Sequence, residues 1–332
     1  MSHEPASRLT QARQRLDIEL AKIVVGQKDT LELLLVALLC EGHVLLLGMP
    51  GVGKTLMAAT LARVLDLEFH RIQFTPDLMP GDITGSDYIE EDPATGRQVR
   101  SFVPGPIFAN FLLADEINRT APKTQSALLQ AMQEREVTAG RQTFKLKRPF
   151  LVVATQNPIE HEGTYPLPEA QLDRFMFCVR VGYPDARQEA EIARTTTAAE
   201  PAAPQCVLSV AEILEFQKLV RTVPIADDVV NYAVRLGAAT RPDGGSAPVS
   251  PLVTQFVTFG VSPRASQYLV LGAKAHALLH GRLSVDFADI RALVPPVFRH
   301  RLVLNYRARA EKITTDHIAA EIVAKVPEEM RG

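Results

Sequence analysis

The stretch GMPGVGKTLMAATLARVL, residues 48–65, decides the fold of this chain. Its first eight letters match G-x-x-x-x-G-K-[ST], with Gly48, Gly53, Lys54 and Thr55 at the fixed positions. The apolar run HVLLL precedes the motif, and the helix-forming run LMAATLARVL follows it. A strand, a glycine-rich turn and a helix N-terminus in this order form a loop whose backbone N–H groups bind phosphate. The stretch therefore predicts a nucleotide-binding α/β fold.

The loop supplies most of the predicted nucleotide contacts. Lys54 is expected to reach the β- and γ-phosphates of ATP, and the hydroxyl of Thr55 to hold Mg²⁺. The alternative is a glycine-rich turn before a core helix, with no ligand. The residues expected to bind the nucleotide here are Pro50, Gly51, Val52, Gly53, Lys54, Thr55 and Leu56.

A second apolar run, NFLLADEINR (residues 110–119), ends in two adjacent carboxylates. Asp115 is expected to join the magnesium shell, so that Thr55 and Asp115 are the predicted metal residues. Glu116 is then placed to orient the attacking water or to accept its proton. The alternative is that both acids cap the helix predicted from about Pro122. The pair favours hydrolysis over small-molecule phosphorylation.

A third run, FLVVATQNP (residues 150–158), brings Asn157 to a strand end. Ligands of open α/β sheets bind at the carboxyl ends of the strands. The amide of Asn157 could polarise the same water or contact the γ-phosphate. Taken alone, the tripeptide QNP is also typical of a turn.

Composition limits the class of protein. The chain has 332 residues, 46% of them apolar, and a formal net charge of −2, so it lacks the basic excess of a bulk nucleic-acid binder. Its three cysteines are far apart and lack metal-type spacing, which fits a reducing cytoplasm. Residues 1–20 lack the apolar core of a secretory signal, and no run is long and apolar enough to predict a membrane span.

The organisation predicted from the pattern is a doubly wound parallel sheet followed by a small all-helical lid domain. Five near-continuously apolar runs between residues 43 and 181 are typical of buried parallel strands. Leu9 to Cys40 reads as helix. Beyond a small-residue linker at residues 195–205, helical periodicity covers about 209–220, 227–239, 263–280 and 287–293. We place the core domain at 1–184 and the helical domain at 185–332.

These motifs together resemble an AAA+ ATPase, and more narrowly the MoxR family, which is similar in build to magnesium-chelatase and minichromosome-maintenance ATPases. The resemblance covers about residues 16–327. It is carried by the phosphate loop, the Asp-Glu strand, the Asn-ended strand and the phrases VVGQ, DEINRTAPKTQSALLQAMQEREVT, ATQNPIEHEGTYPLPEAQLDRF, GVSPRAS and VFRHRLVL.

The resemblance implies further site residues. Asn157 corresponds to the polar sensor on the third strand, and Arg174 in DRF to the arginine finger that enters a neighbouring subunit. Arg264 in SPRA corresponds to a second sensor on the lid, acting in its own chain or in a neighbour. The segment VVGQ is expected beside the adenine, through Val25, Gly26 and Gln27.

The resemblance also implies partners. It predicts a homo-oligomeric ring, most simply a hexamer, and a chaperone-like action on a protein client, with or without a von Willebrand factor A-type partner. Residues 88–102 and 135–150 read as two hairpin inserts, turning at Pro93–Gly96 and Ala139–Gly140, that could contact the client or merely decorate the surface.

Two other classes of function stay open on the sequence. A nucleic-acid motor would need a basic hairpin, which only GRQTFKLKR (residues 140–148) offers in a slightly acidic chain, so nucleic acid is not the ligand we expect. A nucleotide-gated binding module would turn ATP over too slowly to act as a motor. The triplets EHE (160–162) and RHR (299–301) are interpreted as a solvated loop and a charged helix face.

Lys54→Ala should abolish or severely weaken ATP binding, because the cation that faces the β- and γ-phosphates is lost. Calorimetric titration with ATP measures this loss. Lys218→Ala, in a predicted helix far from the motif, is the matched control and should bind ATP normally. Equal affinity in both variants would exclude the phosphate role of Lys54.

Overall fold

The computed structural model describes residues 3–91, 98–139, 142–158, 163–197, 203–242 and 250–328. In chain order, the strands are β1 (Val44–Gly48), β2 (Phe69–Gln73), β3 (Gly85–Glu91), β4 (Gln98–Pro104), β5 (Phe111–Asp115), β6 (Glu136–Ala139), β7 (Gln142–Lys145), β8 (Leu151–Gln156), β9 (Phe177–Val181), β10 (Val257–Phe259) and β11 (Val303–Leu304). The α-helices are α1 (His3–Ala21), α2 (Lys28–Leu39), α3 (Lys54–Val64), α4 (Pro80–Thr84), α5 (Pro122–Glu134), α6 (Glu169–Leu172), α7 (Ala186–Thr196), α8 (Val210–Thr222), α9 (Asp227–Ala238), α10 (Pro251–Phe256), α11 (Pro263–Leu279), α12 (Phe287–Phe298), α13 (Tyr306–Ala310) and α14 (Thr315–Lys325).

Within this described part, a sheet of five parallel strands has the order β2-β5-β8-β1-β9. All five residues of β5 are buried, as are the first five of β8, because helices cover both faces of the sheet. The predicted doubly wound α/β fold is confirmed. The parallel register brings the carboxyl ends of β1, β2, β5 and β8 to one edge, and the phosphate loop follows β1 there.

The segment from Leu9 to Cys40, predicted to be helical, is helical in two parts with a break between them. Two helices, α1 and α2, stand there, separated at residues 22–27. Gly26 and Gln27 have left-handed backbones, with φ of 71° and 55°, and left-handed residues cannot continue a right-handed helix. A Cβ at Gly26 would also come within 2.9 Å of the end of the Gln188 side chain, which would have to shift.

The C-terminal part is mainly helical, as predicted, with one short antiparallel pair, β10–β11, among the described residues. Helices α8, α9 and α11 match predicted segments, whereas the helical periodicity of the sequence did not predict α7, α10, α13 and α14. Helix α12 continues to Phe298 although it contains Pro295 and Pro296. One apolar core runs from α1–α3 into α8–α12, so the division at residue 184 stays a prediction.

Both predicted inserts contain antiparallel strand pairs, β3–β4 and β6–β7. The rings of Phe102 on β4 and Phe144 on β7 stack with centroids 4.4 Å apart, so the two pairs touch. The turn predicted at 93–96, part of the turn at 139–140 and the EHE triplet lie outside the described residues. No described helix has the length and apolar character that a membrane crossing needs.

The RHR triplet is not the charged helix face that the sequence suggested. The side chain of Arg301 is 1% exposed, and its Nε donates to the carboxylate of Asp173 at 2.7 Å. Its other nitrogens donate to four backbone carbonyls, of Asp173, Phe175, Met176 and Val297. A buried charge is stable only when it is paired and hydrogen-bonded, and here it is both.

We expect Arg301→Ala to lower the free energy of unfolding by about 3–5 kcal/mol, because the Asp173 carboxylate and several carbonyls lose a buried partner. Urea unfolding followed by circular dichroism measures the change. The control is Arg291→Ala, which removes an exposed ion pair with Glu328 and should cost about 1 kcal/mol or less. Similar losses in the two variants would contradict the role given to Arg301.

Candidate active site

The phosphate loop has the backbone that its glycines permit. Gly51 and Gly53 both have φ of 82°, and a Cβ added at either would meet nothing within 4 Å. The loop therefore faces open space at the N-terminus of α3, where unpaired N–H groups and the helix dipole favour an anion. The ammonium of Lys54 donates to the carbonyls of Gly48 and Met49, at 2.6 and 2.9 Å, so it lies against the loop.

A cavity of about 420 Å³ lies in front of this loop. It contains nine of the residues predicted from sequence for the nucleotide, the metal and the reaction: Pro50, Gly51, Gly53, Lys54, Thr55, Leu56, Asp115, Glu116 and Asn157. Val52 is absent from this lining and packs against the apolar core. Residues from three strand ends and the loop thus meet in one place.

The Asp115 carboxylate is buried and held on both oxygens. Its Oδ1 accepts a hydrogen bond from the Thr155 hydroxyl at 2.6 Å, and its Oδ2 accepts from the Arg71 guanidinium at 2.7 Å. The Thr155 hydroxyl also accepts from the backbone N–H of Glu116, at 2.9 Å. One hydroxyl therefore fixes the orientation of Asp115 and the backbone of the next residue.

Glu116 has a backbone that few non-glycine residues adopt, with φ 58° and ψ 48°. Its Oε2 accepts hydrogen bonds from Gln73 at 2.9 Å and from Arg119 at 3.0 Å. Strained backbones of this kind cost free energy and persist where the surroundings impose them, often in active sites. The strain turns the chain sharply after β5 and directs the Glu116 carboxylate into the cavity.

Sequence reasoning missed three residues of the cavity: Arg71, Gln73 and Thr155. A signal was present for each of them. Arg71 and Gln73 alternate with apolar residues at the end of β2, and Gln73 pairs in register with Asp115. Thr155 is a buried polar residue that follows four apolar residues in β8.

The residues of the cavity fit a nucleotide with Mg²⁺. Magnesium prefers carboxylate, hydroxyl and phosphate oxygens, and Asp115 and Thr55 offer the first two in one cavity. The guanidinium of Arg71 contacts Oδ2 of Asp115 at 2.7 Å, so Mg²⁺ would share this carboxylate with Arg71. The open glycine loop beside it provides the N–H groups that phosphate needs.

Val25, Gly26 and Gln27 line a different cavity, of about 940 Å³, together with residues of α7 and α12. The Gln27 amide donates to the carbonyl of Gly182 at 3.3 Å, just after β9. Because β9 pairs with β1, this second cavity lies beside the strand that leads into the phosphate loop. Val25, Gly26 and Gln27, the segment predicted to lie beside the adenine, are thus near β1 but outside the phosphate cavity.

Arg174 and Arg264 also lie outside the phosphate cavity. Both line a third cavity, of about 280 Å³, with Glu41, Arg135 and Tyr268 among its other residues. Arg174 donates to the carbonyl of Leu129 at 2.7 Å, and Arg264 pairs with Asp173 at 3.4 Å. The two predicted arginines are therefore brought together, but apart from the phosphate loop of their own chain.

The basic segment considered for nucleic acid is partly neutralised. Lys147 forms an ion pair with Glu68, and Arg148 pairs with Glu41 at 3.3 Å. Arg141 lies outside the described residues. Two of the three basic side chains in the described part of this segment are thus paired with carboxylates, whereas Lys145 is exposed.

The sheet order, the phosphate loop and the acidic strand end define a nucleotide-binding domain of the AAA+ class. Two family models match the chain: the ATPase family associated with various cellular activities (AAA) over residues 43–177, and the AAA lid domain over residues 250–322. The family resemblance predicted from sequence is confirmed by relatives that match over most of their length. This chain belongs to the MoxR family of AAA+ ATPases.

Three relatives illustrate the similarity. The chain is 46% identical to Chaperone MoxR1 of Mycobacterium tuberculosis, over 94% of this chain and 81% of the relative. It is 43% identical to the uncharacterised protein YeaC of Bacillus subtilis, over 92% and 91%. A crystal structure from Cytophaga hutchinsonii, of a candidate ATPase, superposes with a TM-score of 0.89 at 40% identity and covers 98% of this chain and 97% of its own.

We expect Thr155→Val to lower ATP turnover about 5–100-fold, because Asp115 and the Glu116 N–H lose a buried partner worth about 1–3 kcal/mol. Steady-state kinetics with Mg²⁺ and ATP measure the change. Thr155→Ser keeps the hydroxyl and should restore most of the turnover. A Thr155→Val protein that is folded and as active as the wild type would show that this hydroxyl has no part in the site.

Proposed function

We propose that the chain hydrolyses ATP to ADP and phosphate with Mg²⁺, as a subunit of a homo-oligomeric ring that remodels or activates other proteins. The observation that carries the proposal is the distribution of its polar residues. The phosphate loop, Asp115, Glu116 and Asn157 share one cavity, while Arg174 and Arg264 share another. Each chain thus holds an incomplete site and, elsewhere, the arginines that a second copy would need.

In the phosphate cavity, the Glu116 carboxylate accepts the proton of the water that attacks the γ-phosphorus, as the bond to ADP breaks. Gln73 and Arg119 hold this carboxylate in place. Lys54 binds the β- and γ-phosphates, and the Asn157 amide orients the water. Thr55 and Asp115 would hold Mg²⁺, which would supply positive charge to the phosphate oxygens.

Arg174 and Arg264 serve the nucleotide of the next subunit in this proposal. Among the described residues, neither arginine lines the phosphate cavity of its own chain. The side chain of Arg264 is 39% exposed, and both arginines border a surface cavity. A planar guanidinium matches phosphate oxygens and offsets the charge of the transition state. The arrangement favours action between subunits for both residues.

The ring is most simply a hexamer. Each subunit would consist of the two domains proposed from sequence, a core at 1–184 and a lid at 185–332. The client is a protein, engaged with or without a von Willebrand factor A-type partner in the cytoplasm. The β3–β4 insert supports a protein contact, since Tyr88 and Ile89 are 54% and 64% exposed. Exposed apolar side chains that cluster on one projection are typical of protein interaction sites.

Mixing two inactive variants tests action between subunits. Arg174→Ala should bind ATP but turn it over about 10³–10⁵-fold more slowly than the wild type. Glu116→Gln should be similarly inactive although its Arg174 is intact. In mixed rings at equal ratio, about one interface in four joins an intact Glu116 to an intact Arg174. The mixture should therefore recover up to about a quarter of wild-type turnover, measured by phosphate release.

The matched control mixes Arg174→Ala with the double variant Arg174→Ala/Glu116→Gln, in which no subunit can supply Arg174. This mixture should stay inactive. Fluorescently labelled chains establish that subunits exchange under the conditions used. If exchange occurs and the first mixture stays inactive, Arg174 acts in its own chain or only supports the fold.

A further inference from the structure

A carboxylate on α2 and two imidazoles at the end of α11 lie together outside the cavity of the phosphate loop. Glu32 lies on α2, and His276 lies one helical turn before His280, which follows the end of α11. The Oε1 atom of Glu32 is 3.3 Å from Nε2 of His276 and 3.0 Å from Nε2 of His280. One ligand atom from each residue lies within 4.8 Å of the other two.

These distances match a metal coordination shell. With bonds of about 2.0–2.2 Å, neighbouring ligands of tetrahedral Zn²⁺ are about 3.3 Å apart. Two imidazoles and one carboxylate form a ligand set used by zinc and by other divalent transition metals. The side chain of His280 is 48% exposed, which leaves room for a water ligand and a path for the ion.

A second layer of contacts orients the cluster. Nδ1 of His276 contacts Oδ1 of Asp289 at 2.6 Å, and the side chain of Asp289 is fully buried. Arg282 binds both oxygens of Asp289, and Arg13 binds the outer oxygen of Glu32 at 3.1 Å. A histidine ligand that donates its other N–H to a carboxylate is the usual arrangement around protein-bound metals.

The simpler reading is an ion-pair network with a proton in place of a metal. Burial lowers the pKa of His276, but hydrogen bonds to Asp289 and Glu32 outweigh burial and raise it to about 9. A metal would have to displace this proton. A second imidazole, that of His280, faces the same oxygen of Glu32, with its ring centroid 4.4 Å from the first. Two neutral imidazoles and one carboxylate oxygen in this arrangement can share one metal ion.

We propose that Glu32, His276 and His280 bind a divalent transition metal of the Zn²⁺ class, with Asp289 as the residue that orients His276. The site joins α2, which begins just after Gln27, to α11, which carries Arg264 in its first turn. A bound ion would clamp these two helices together. This assignment is independent of ATP hydrolysis and of the role of the arginines.

Zinc titration by calorimetry tests the site, with protein that carries no polyhistidine tag and has been freed of metal with a chelator. Excess Mg²⁺ and the absence of nucleotide keep Asp115 and Thr55 from contributing. The wild type should bind one Zn²⁺ per chain and unfold at a higher temperature with zinc than without it. His280→Ala removes a half-exposed ligand and should weaken zinc binding about 10-fold or more.

The matched control is His317→Ala, on α14, which should bind zinc as the wild type does. Asp289→Asn should weaken binding about 10–100-fold if it is folded, because His276 loses its orienting partner. The proposal is overturned if the wild type binds no zinc at about 100 µM, or if His280→Ala binds it as tightly as the wild type.

Discussion

The buried guanidinium of Arg301 is the contact on which the arrangement of this molecule depends. It connects the end of α12 to the segment of residues 173–176, which leads into β9 and includes Arg174. The same Asp173 carboxylate accepts a hydrogen bond from Ser262, at the start of α11, and pairs with Arg264. This one ion pair therefore helps to set the positions of Arg174 and Arg264, the two arginines of the proposed site, relative to the sheet. A lysine has a single nitrogen and could not make this set of contacts.

The active site depends in turn on the parallel sheet. Polar residues at the ends of β2, β5 and β8 meet because these strands are neighbours in register. Behind the two carboxylates, a hydrogen-bonded layer of Gln73, Arg71 and Thr155 fixes them before any ligand arrives. Such preorganisation reduces the rearrangement that a reaction would otherwise require. In the proposed function, the phosphate loop binds the nucleotide, and this layer keeps the two carboxylates in their orientation.

The features that were predictable from sequence are those whose cause lies within a short segment. The phosphate loop, the five strands and the acidic pair could be read because a glycine pattern or an apolar run fixes each locally. Arg71 was missed because its partner, Asp115, becomes a neighbour only through strand pairing. The prediction of a charged helix face for RHR was wrong for a similar reason, because Arg301 contacts Asp173 only once α12 packs against β9. The helix break at Gly26 required a backbone angle that periodicity does not report.

The aromatic contact between the two inserts has a mechanical consequence. Phe102 and Phe144 stack face to face, and the ring of Phe108 meets both edge-on, with centroids 5.9 and 6.2 Å away. A lone two-stranded hairpin is flexible and marginally stable in water. Joined through three rings, the two strand pairs support each other, and the short segment after Phe108 connects them to β5. A displacement of β5 would therefore be expected to move both strand pairs as one unit.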